Sequence, residues 1–397
     1  MKGLQPPASQ FHDAITVSRS WLGADPRAWI IRRLHVGSTD QSLSKEPAYT
    51  SHSPISSALP LSLLASSSSP VLYCRKMVFT PPAWVPQLPF DPPDSIPLHE
   101  FLGNERYGRL PFDKSQNPFT CGLTGKTYTH AEMRERQELL ARSLSKRMGW
   151  RPNEDTPWDK VIGLYSLNTI DYLTSTYAVH RLSGIVTPAN AMYSAAELEH
   201  QLKSSGAKAL FTCPSLLDNA LKAARASNIP DDKVFTLDVP GQSRDSQFKT
   251  IDELIDEGGS LPELESLRWT KGQGARQVAY LCYSSGTSGL PKAVMIAHRN
   301  VIANIMQIRW HEDAGRRQKS IETQTQIGLL PLSHIYGLVV IASTGPYRGD
   351  STIILPRFEL RTLLQSIQRF KINYMHLDSG PANHNPAPPQ HPALLGI

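Results

Sequence analysis

From about residue 161 onward, short apolar runs alternate with stretches whose apolar positions recur at helical spacing. Runs at 161–165, 185–187, 209–212 and 234–239 predict strands. Between the first two, Ile170, Leu173, Tyr177 and Leu182 predict a helix over 170–182 that Gly184 stops. Ser194 with Glu197 three residues later is a capping box, opening a helix that runs to Ser205 and Gly206. Pro214 and Ser215 open another, toward Ala226. Upstream, Thr129 is an N-cap for a helix with Met133, Leu139, Leu140 and Leu144 as its apolar stripe. Residues 241–274 are polar apart from a helix at 251–256 and read as a linker. Strands follow at 278–283 and 293–296, and Asn300 is expected to cap a helix over 301–308. Further strands are expected at 327–330, 352–355 and 372–375, with a helix over 360–370 before the last. Repeated strand–helix units imply an α/β domain built on largely parallel sheets.

The two ends break this pattern. Residues 1–76 are rich in Ser and Pro, with Ser66 to Ser69 as a homopolymeric run and little periodicity. They read as a disordered extension. Arg32, Arg33 and the serines would suit a transit peptide, but Asp13, Asp25 and Asp40 count against one. Met77 is the expected natural start. Residues 378–397 hold five prolines between Pro381 and Pro392 and read as an irregular tail. The expected organisation is therefore 1–76, 77–377 and 378–397.

Charge changes this picture little. The net charge is +6, of which residues 1–76 supply 8 − 4 = +4. The basic balance thus sits largely outside the patterned region, and no basic stripe with interleaved aromatics marks a nucleic-acid surface. Cys74, Cys121, Cys213 and Cys282 are too far apart in sequence for a metal-ligand motif, and no metal site is expected among these residues. Cys282 reads as a core residue rather than a nucleophile. No apolar run reaches the length of a membrane span.

The candidate chemistry lies between the strands at 278–283 and 293–296. Ser284, Ser285, Gly286, Thr287, Ser288 and Gly289 form a loop that Pro291 and Lys292 close. The glycines let backbone N–H groups approach an anion, the hydroxyls add donors, and Lys292 adds a flexible positive charge. A polyphosphate would suit this loop, but so would a hairpin turn that binds nothing. The spacing is not that of a Walker A loop. The second constellation is Leu330-Pro331-Leu332-Ser333-His334-Ile335-Tyr336-Gly337. By itself, it reads as a turn with a satisfied histidine.

Ser-Ser-Gly-Thr-Ser-Gly-Leu-Pro-Lys resembles the signature of the adenylate-forming (AMP-binding) enzymes, with Ala293 where the family usually has Gly and Ser288 where it more often has Thr. The Leu-Pro-x-x-His-x-Tyr-Gly segment resembles that family's next motif, and the likeness extends over about 77–377. It is strongest to 4-coumarate–CoA ligase-like acyl-CoA synthetases. It implies the large N-terminal domain of an AMP-dependent acid–thiol ligase. ATP, Mg²⁺ and CoA would be its cofactors and co-substrates, and a small-molecule carboxylic acid its substrate. Lys292 and the loop residues Ser284 to Gly289 would hold the polyphosphate. His334 would sit at the reacting carboxylate, and Tyr336 and Gly337 would line the acyl site.

The resemblance also implies what this stretch does not contain: the family's later Mg²⁺-binding Glu, its ribose-binding Asp, and the small C-terminal domain with its lysine. The chain is thus read as C-terminally incomplete, and the 397 residues alone are expected to lack measurable turnover. Two alternatives stand beside the ligase. One is a peptide-synthetase adenylation domain, which Ser285-Gly-Thr-Ser-Gly and His334 argue against. The other is a non-catalytic nucleotide-binding or interaction remnant. The expected location is cytoplasmic; full-length family members can be peroxisomal, but the ending Leu395-Gly396-Ile397 is not such a signal.

Overall fold

The computed structural model describes residues 87–243, 245–284 and 290–376, together with the backbone of Thr16–Ser18. These residues belong to one compact unit. Its strands are β1 (Thr16–Ser18), β2 (Phe119–Cys121), β3 (Thr127–Tyr128), β4 (Val161–Tyr165), β5 (Ile185–Ala189), β6 (Ala209–Thr212), β7 (Val234–Thr236), β8 (Val278–Ser284), β9 (Lys292–Ala297), β10 (Thr325–Gly328), β11 (Ser351–Ile354) and β12 (Tyr374–His376). The principal helices are α1 (Leu98–Leu102), α2 (His130–Met148), α3 (Tyr172–Arg181), α4 (Ala195–Ser205), α5 (Leu217–Ala226), α6 (Ile251–Gly259), α7 (Gln273–Arg276), α8 (His298–Gln318) and, after a π-helical segment over Tyr336–Thr344, α9 (Leu360–Phe370).

The strands form two six-stranded sheets. The first runs β7-β6-β4-β5-β8-β9 and is parallel except for the β8–β9 hairpin. Every residue of β4, β5 and β6 is buried. Strands covered on both faces carry continuous apolar runs rather than alternation, which is why they stand out in the sequence. The second sheet runs β1-β12-β10-β11-β2-β3 and is parallel except between β2 and β3.

Local chemistry explains the helix starts. In α2 the Thr129 hydroxyl accepts from the Glu132 N–H, while the Glu132 carboxylate accepts from the Thr129 N–H. α4 opens the same way with Ser194 and Glu197, and α6 with Thr250 and Glu253. Gly149 and Gly206 end α2 and α4 in the left-handed region, where a side chain would be strained.

Several expectations are corrected. Residues 241–274 are not a linker: Ile251, Leu254 and Ile255 of α6 are buried, and the Arg181 guanidinium donates to the carbonyls of Leu264 and Glu265. Asn300 is not the N-cap of α8. The helix begins two residues earlier, and the Asn300 side chain accepts from the Ala297 N–H from within the first turn. α8 also runs ten residues beyond the expected end. Its last turns stay helical because their charges are paired: Asp313 bonds Arg309 at 2.9 Å, and Arg316 bonds the wholly buried Asp350 at 2.8 Å. β10 ends at Gly328 rather than at Leu330. The backbone of β1, Thr16–Ser18, pairs in parallel with β12. Residues 77–86, the rest of 1–76 and residues 377–397 lie outside the described residues.

Candidate active site

β8 and β9 deliver the first candidate residues. Ser284 ends β8, Lys292 opens β9, and their Cα atoms are registered partners across the antiparallel ladder. The two strands thus pair antiparallel with Ser284 and Lys292 opposite each other at the end of the ladder, and the flanking strands lie where the strand–loop–strand pattern predicts. Both side chains are exposed. Ser285, Gly286, Thr287, Ser288 and Gly289 lie outside the described residues.

The flanks of the loop are braced by α4. The Tyr283 hydroxyl meets Ser204 Oγ at 2.5 Å and donates to the Gln201 carbonyl at 3.3 Å. The His200 ring lies 2.9 Å from the Pro291 carbonyl through Nε2. Cys282, two residues before Ser284, packs against the core, and burial pushes its thiol up to about 12. It is thus held as the unreactive thiol, as its apolar surroundings imply.

His334 sits on the turn after β10. Its Nδ1 accepts from the Tyr336 N–H at 3.2 Å, and its backbone N–H bonds the Pro331 carbonyl. An accepting Nδ1 places the proton of the neutral ring on Nε2, the outward donor. The side chain is exposed. Tyr336 is half-buried, with its hydroxyl 2.8 Å from His376 Nδ1. Gly337 is buried, and a Cβ there would stand 2.2 Å from the Pro331 carbonyl oxygen. Close backbone approach therefore explains the glycine whatever its part in binding.

Asn168 joins the two halves. It follows β4, at the carboxyl end of the first sheet, the end at which β8 also delivers Ser284 because β4, β5 and β8 are mutually parallel. The Asn168 amide donates to the carbonyls of Leu330 at 3.0 Å and Leu329 at 3.3 Å, and its Oδ1 accepts from the Leu332 N–H at 2.8 Å. It thus ties the carboxyl end of the first sheet to the turn after β10 that carries His334. Sequence reasoning missed Asn168. The signal was present, since a polar residue just past an apolar parallel strand occupies the position that ligand sites of open α/β sheets use.

The AMP-binding enzyme family matches residues 113–378. The chain belongs to the AMP-binding enzyme family. Among curated relatives, it is 40% identical over 306 residues to the acyl-CoA ligase easD of Emericella nidulans, covering 76% of this chain and 54% of that one. It is 27% identical over 283 residues to 4-coumarate–CoA ligase 4 of Arabidopsis thaliana, covering 70% and 47%. The chain spans about half the length of the curated relatives it matches. Among solved structures, the anthranilate CoA ligase AuaEII in complex with anthranoyl-AMP aligns with a TM-score of 0.56 at 18% identity, over 71% of this chain and 50% of that one. The long-chain-fatty-acid-CoA ligase FadD1 of Archaeoglobus fulgidus aligns with a TM-score of 0.55 at 22% identity, over 73% and 54%. Adenylate-forming enzymes thus share this α/β fold, which agrees with the sequence reading of both family and fold class.

Among the described residues, no group of three or more His, Cys, Asp or Glu side chains could hold a metal ion, and no helix is long and apolar enough to cross a membrane.

Proposed function

We propose that the protein takes part in ATP-dependent activation of a carboxylic acid to an acyl-adenylate, which the thiol of CoA then converts to a thioester. The observation that carries this reading is the Asn168 clamp. It sets the His334 turn against the carboxyl end of the sheet whose β8–β9 hairpin presents Ser284 and Lys292.

In the first step, a carboxylate oxygen bonds to the α-phosphorus of ATP as the bond to pyrophosphate breaks. The nucleophile is already ionised, so the step needs positioning and charge neutralisation more than a base. Lys292, exposed where β9 begins, is suited to meet the departing polyphosphate, with Ser284 opposite it across the ladder. His334, with its Nε2 proton outward, is suited to hold the carboxylate by a hydrogen bond, and Tyr336 to contact the acyl group. In the second step, sulfur bonds to the acyl carbon and AMP leaves. Mg²⁺ would shield the phosphates in such a reaction. Among the described residues, no cluster of His, Cys, Asp or Glu side chains fits it.

The test is acid-dependent ATP–pyrophosphate exchange and CoA thioester formation across aryl and alkyl acids. It is run on this chain and on the chain joined to the remaining segment of the easD ligase. Exchange by the joined protein supports the reading. Nucleotide binding without exchange in either protein would favour a non-catalytic nucleotide-binding role.

A further inference from the structure

Behind Tyr336 lies a buried chain of polar groups that the proposed chemistry does not use. We propose that His376 is a positioning residue for Tyr336: a relay from Gln326 through His376 holds the phenol in one orientation, with its hydroxyl turned inward. This rests on Tyr336 lining the acyl site and deepens that reading by naming what selects the acid.

The direction of the relay follows from one fixed point. A backbone carbonyl can only accept, so the Gln326 nitrogen that lies 2.8 Å from the Ile341 carbonyl must be the amide donor. The same nitrogen lies 2.8 Å from Thr352 Oγ1. The other amide atom, Oε1, is then an acceptor, and it faces His376 Nε2 at 3.2 Å. Nε2 must carry the ring proton, because an unprotonated nitrogen there would set two lone pairs against each other. That leaves Nδ1 as an acceptor, 2.8 Å from the Tyr336 hydroxyl, which therefore donates its single proton inward.

The surroundings keep this arrangement in place. Gln326 is wholly buried and His376 nearly so. The His376 ring stands edge-on to Tyr336 and to Tyr374, with centroids 5.6 and 4.6 Å apart. A Cβ at Gly345 would come within 2.0 Å of the Gln326 amide nitrogen, so the glycine leaves the amide its space. Burial and the positive charge of Arg348 push His376 down to about 3, which keeps the ring neutral and able to accept at any ordinary pH.

With its proton committed to His376, the tyrosine has no hydroxyl donor left to offer an acid. The relay thus favours acyl groups that are apolar where they meet the ring, aryl or alkyl, over those that place a hydrogen-bond acceptor there.

Two measurements on the 397-residue chain test this. In the first, ¹⁵N-histidine NMR at neutral pH reads the tautomer. The expected result is a protonated Nε2 and an unprotonated Nδ1 that alone shifts in Tyr336→Phe. A proton on Nδ1 would overturn the relay. In the second, calorimetry compares sulfamoyl adenosine with its benzoyl and octanoyl derivatives. Tyr336→Phe and His376→Ala should each weaken the acyl derivatives about three- to tenfold, the size of one hydrogen bond, and leave sulfamoyl adenosine unchanged. The double variant should lose no more than either single one, because both cut the same link. Additive losses, or equal losses for the bare and acylated compounds, would overturn the proposal. Tyr336→Phe keeps the ring and removes only the hydroxyl, so it reports even if His376→Ala does not fold. If wild-type protein binds the acyl derivatives no more tightly than sulfamoyl adenosine, the acyl site itself falls, whatever the tautomer.

Discussion

At Lys292, exposure separates function from stability. Its side chain lies where β9 begins and is solvent-exposed. Lys292→Ala should therefore leave the melting temperature nearly unchanged. It should slow adenylation tenfold to a hundredfold, on the order of the 1.5–3 kcal/mol that a charged hydrogen bond supplies. Exchange rates and thermal melts on the joined protein check both halves. Asn168 is the opposite case. It is buried, and its loss would strand the Leu332 N–H and the Leu330 carbonyl. Asn168→Ala should cost about 1–3 kcal/mol in denaturant unfolding and also lower activity by loosening the His334 turn. Loss of activity at full stability would give Asn168 a direct role instead. The position of Asn168 past an apolar strand was legible, but its clamp partners and the role of His376 were not, because these contacts reach more than a hundred and about forty residues along the chain.

At the scale of elements, legibility followed the physics that makes each one. The Thr129 N-cap of α2, the capping box of α4 and the fully buried strands β4 and β6 are local or patterned features, and they lie where the sequence predicts. Thr129→Ala should cost about 1 kcal/mol, the usual value of an N-cap, with no change in exchange rate. The unfolding midpoint of α2-bearing protein would show it, and an unaltered midpoint would mean that the Glu132 bond does not matter. The second half of α8 was invisible, because its buried face carries Asp313 and Arg316 rather than apolar side chains. Asp313 pairs with Arg309 within the helix, and the partner of Arg316, Asp350, is supplied by a distant turn. The segment after His334, Tyr336–Thr344, is apolar all round, so it shows no period from which to read its π-helical winding. β10 was placed two residues late because Leu329 and Leu330 look like strand but belong to the turn that Asn168 holds.

For the molecule as a whole, the core holds ionisable groups that acid should find. His180 and His298 are wholly buried with ring centroids 4.6 Å apart. Burial lowers both, His180 to about 4. The folded state keeps these rings neutral, whereas in the unfolded chain a histidine protonates below about pH 6.5. The unfolded state thus binds more protons as pH falls through that value, and stability declines from there toward the folded pKa. For His180 alone, the loss should reach about 2 kcal/mol by pH 5. Melting temperatures from pH 7.5 to 5 should fall, with His180→Gln flattening the slope; a flat wild-type profile would contradict this account of the core. The proposed function makes one chemical claim above the rest, that a carboxylate attacks the α-phosphorus of ATP. The most direct measurement uses an acid labelled with ¹⁸O in its carboxylate, the joined protein, ATP and CoA, with mass spectrometry of the products. The account predicts one labelled oxygen in AMP, because the attacking oxygen stays on phosphorus when the thiol takes the acyl group. Label in pyrophosphate or inorganic phosphate, with none in AMP, would contradict it.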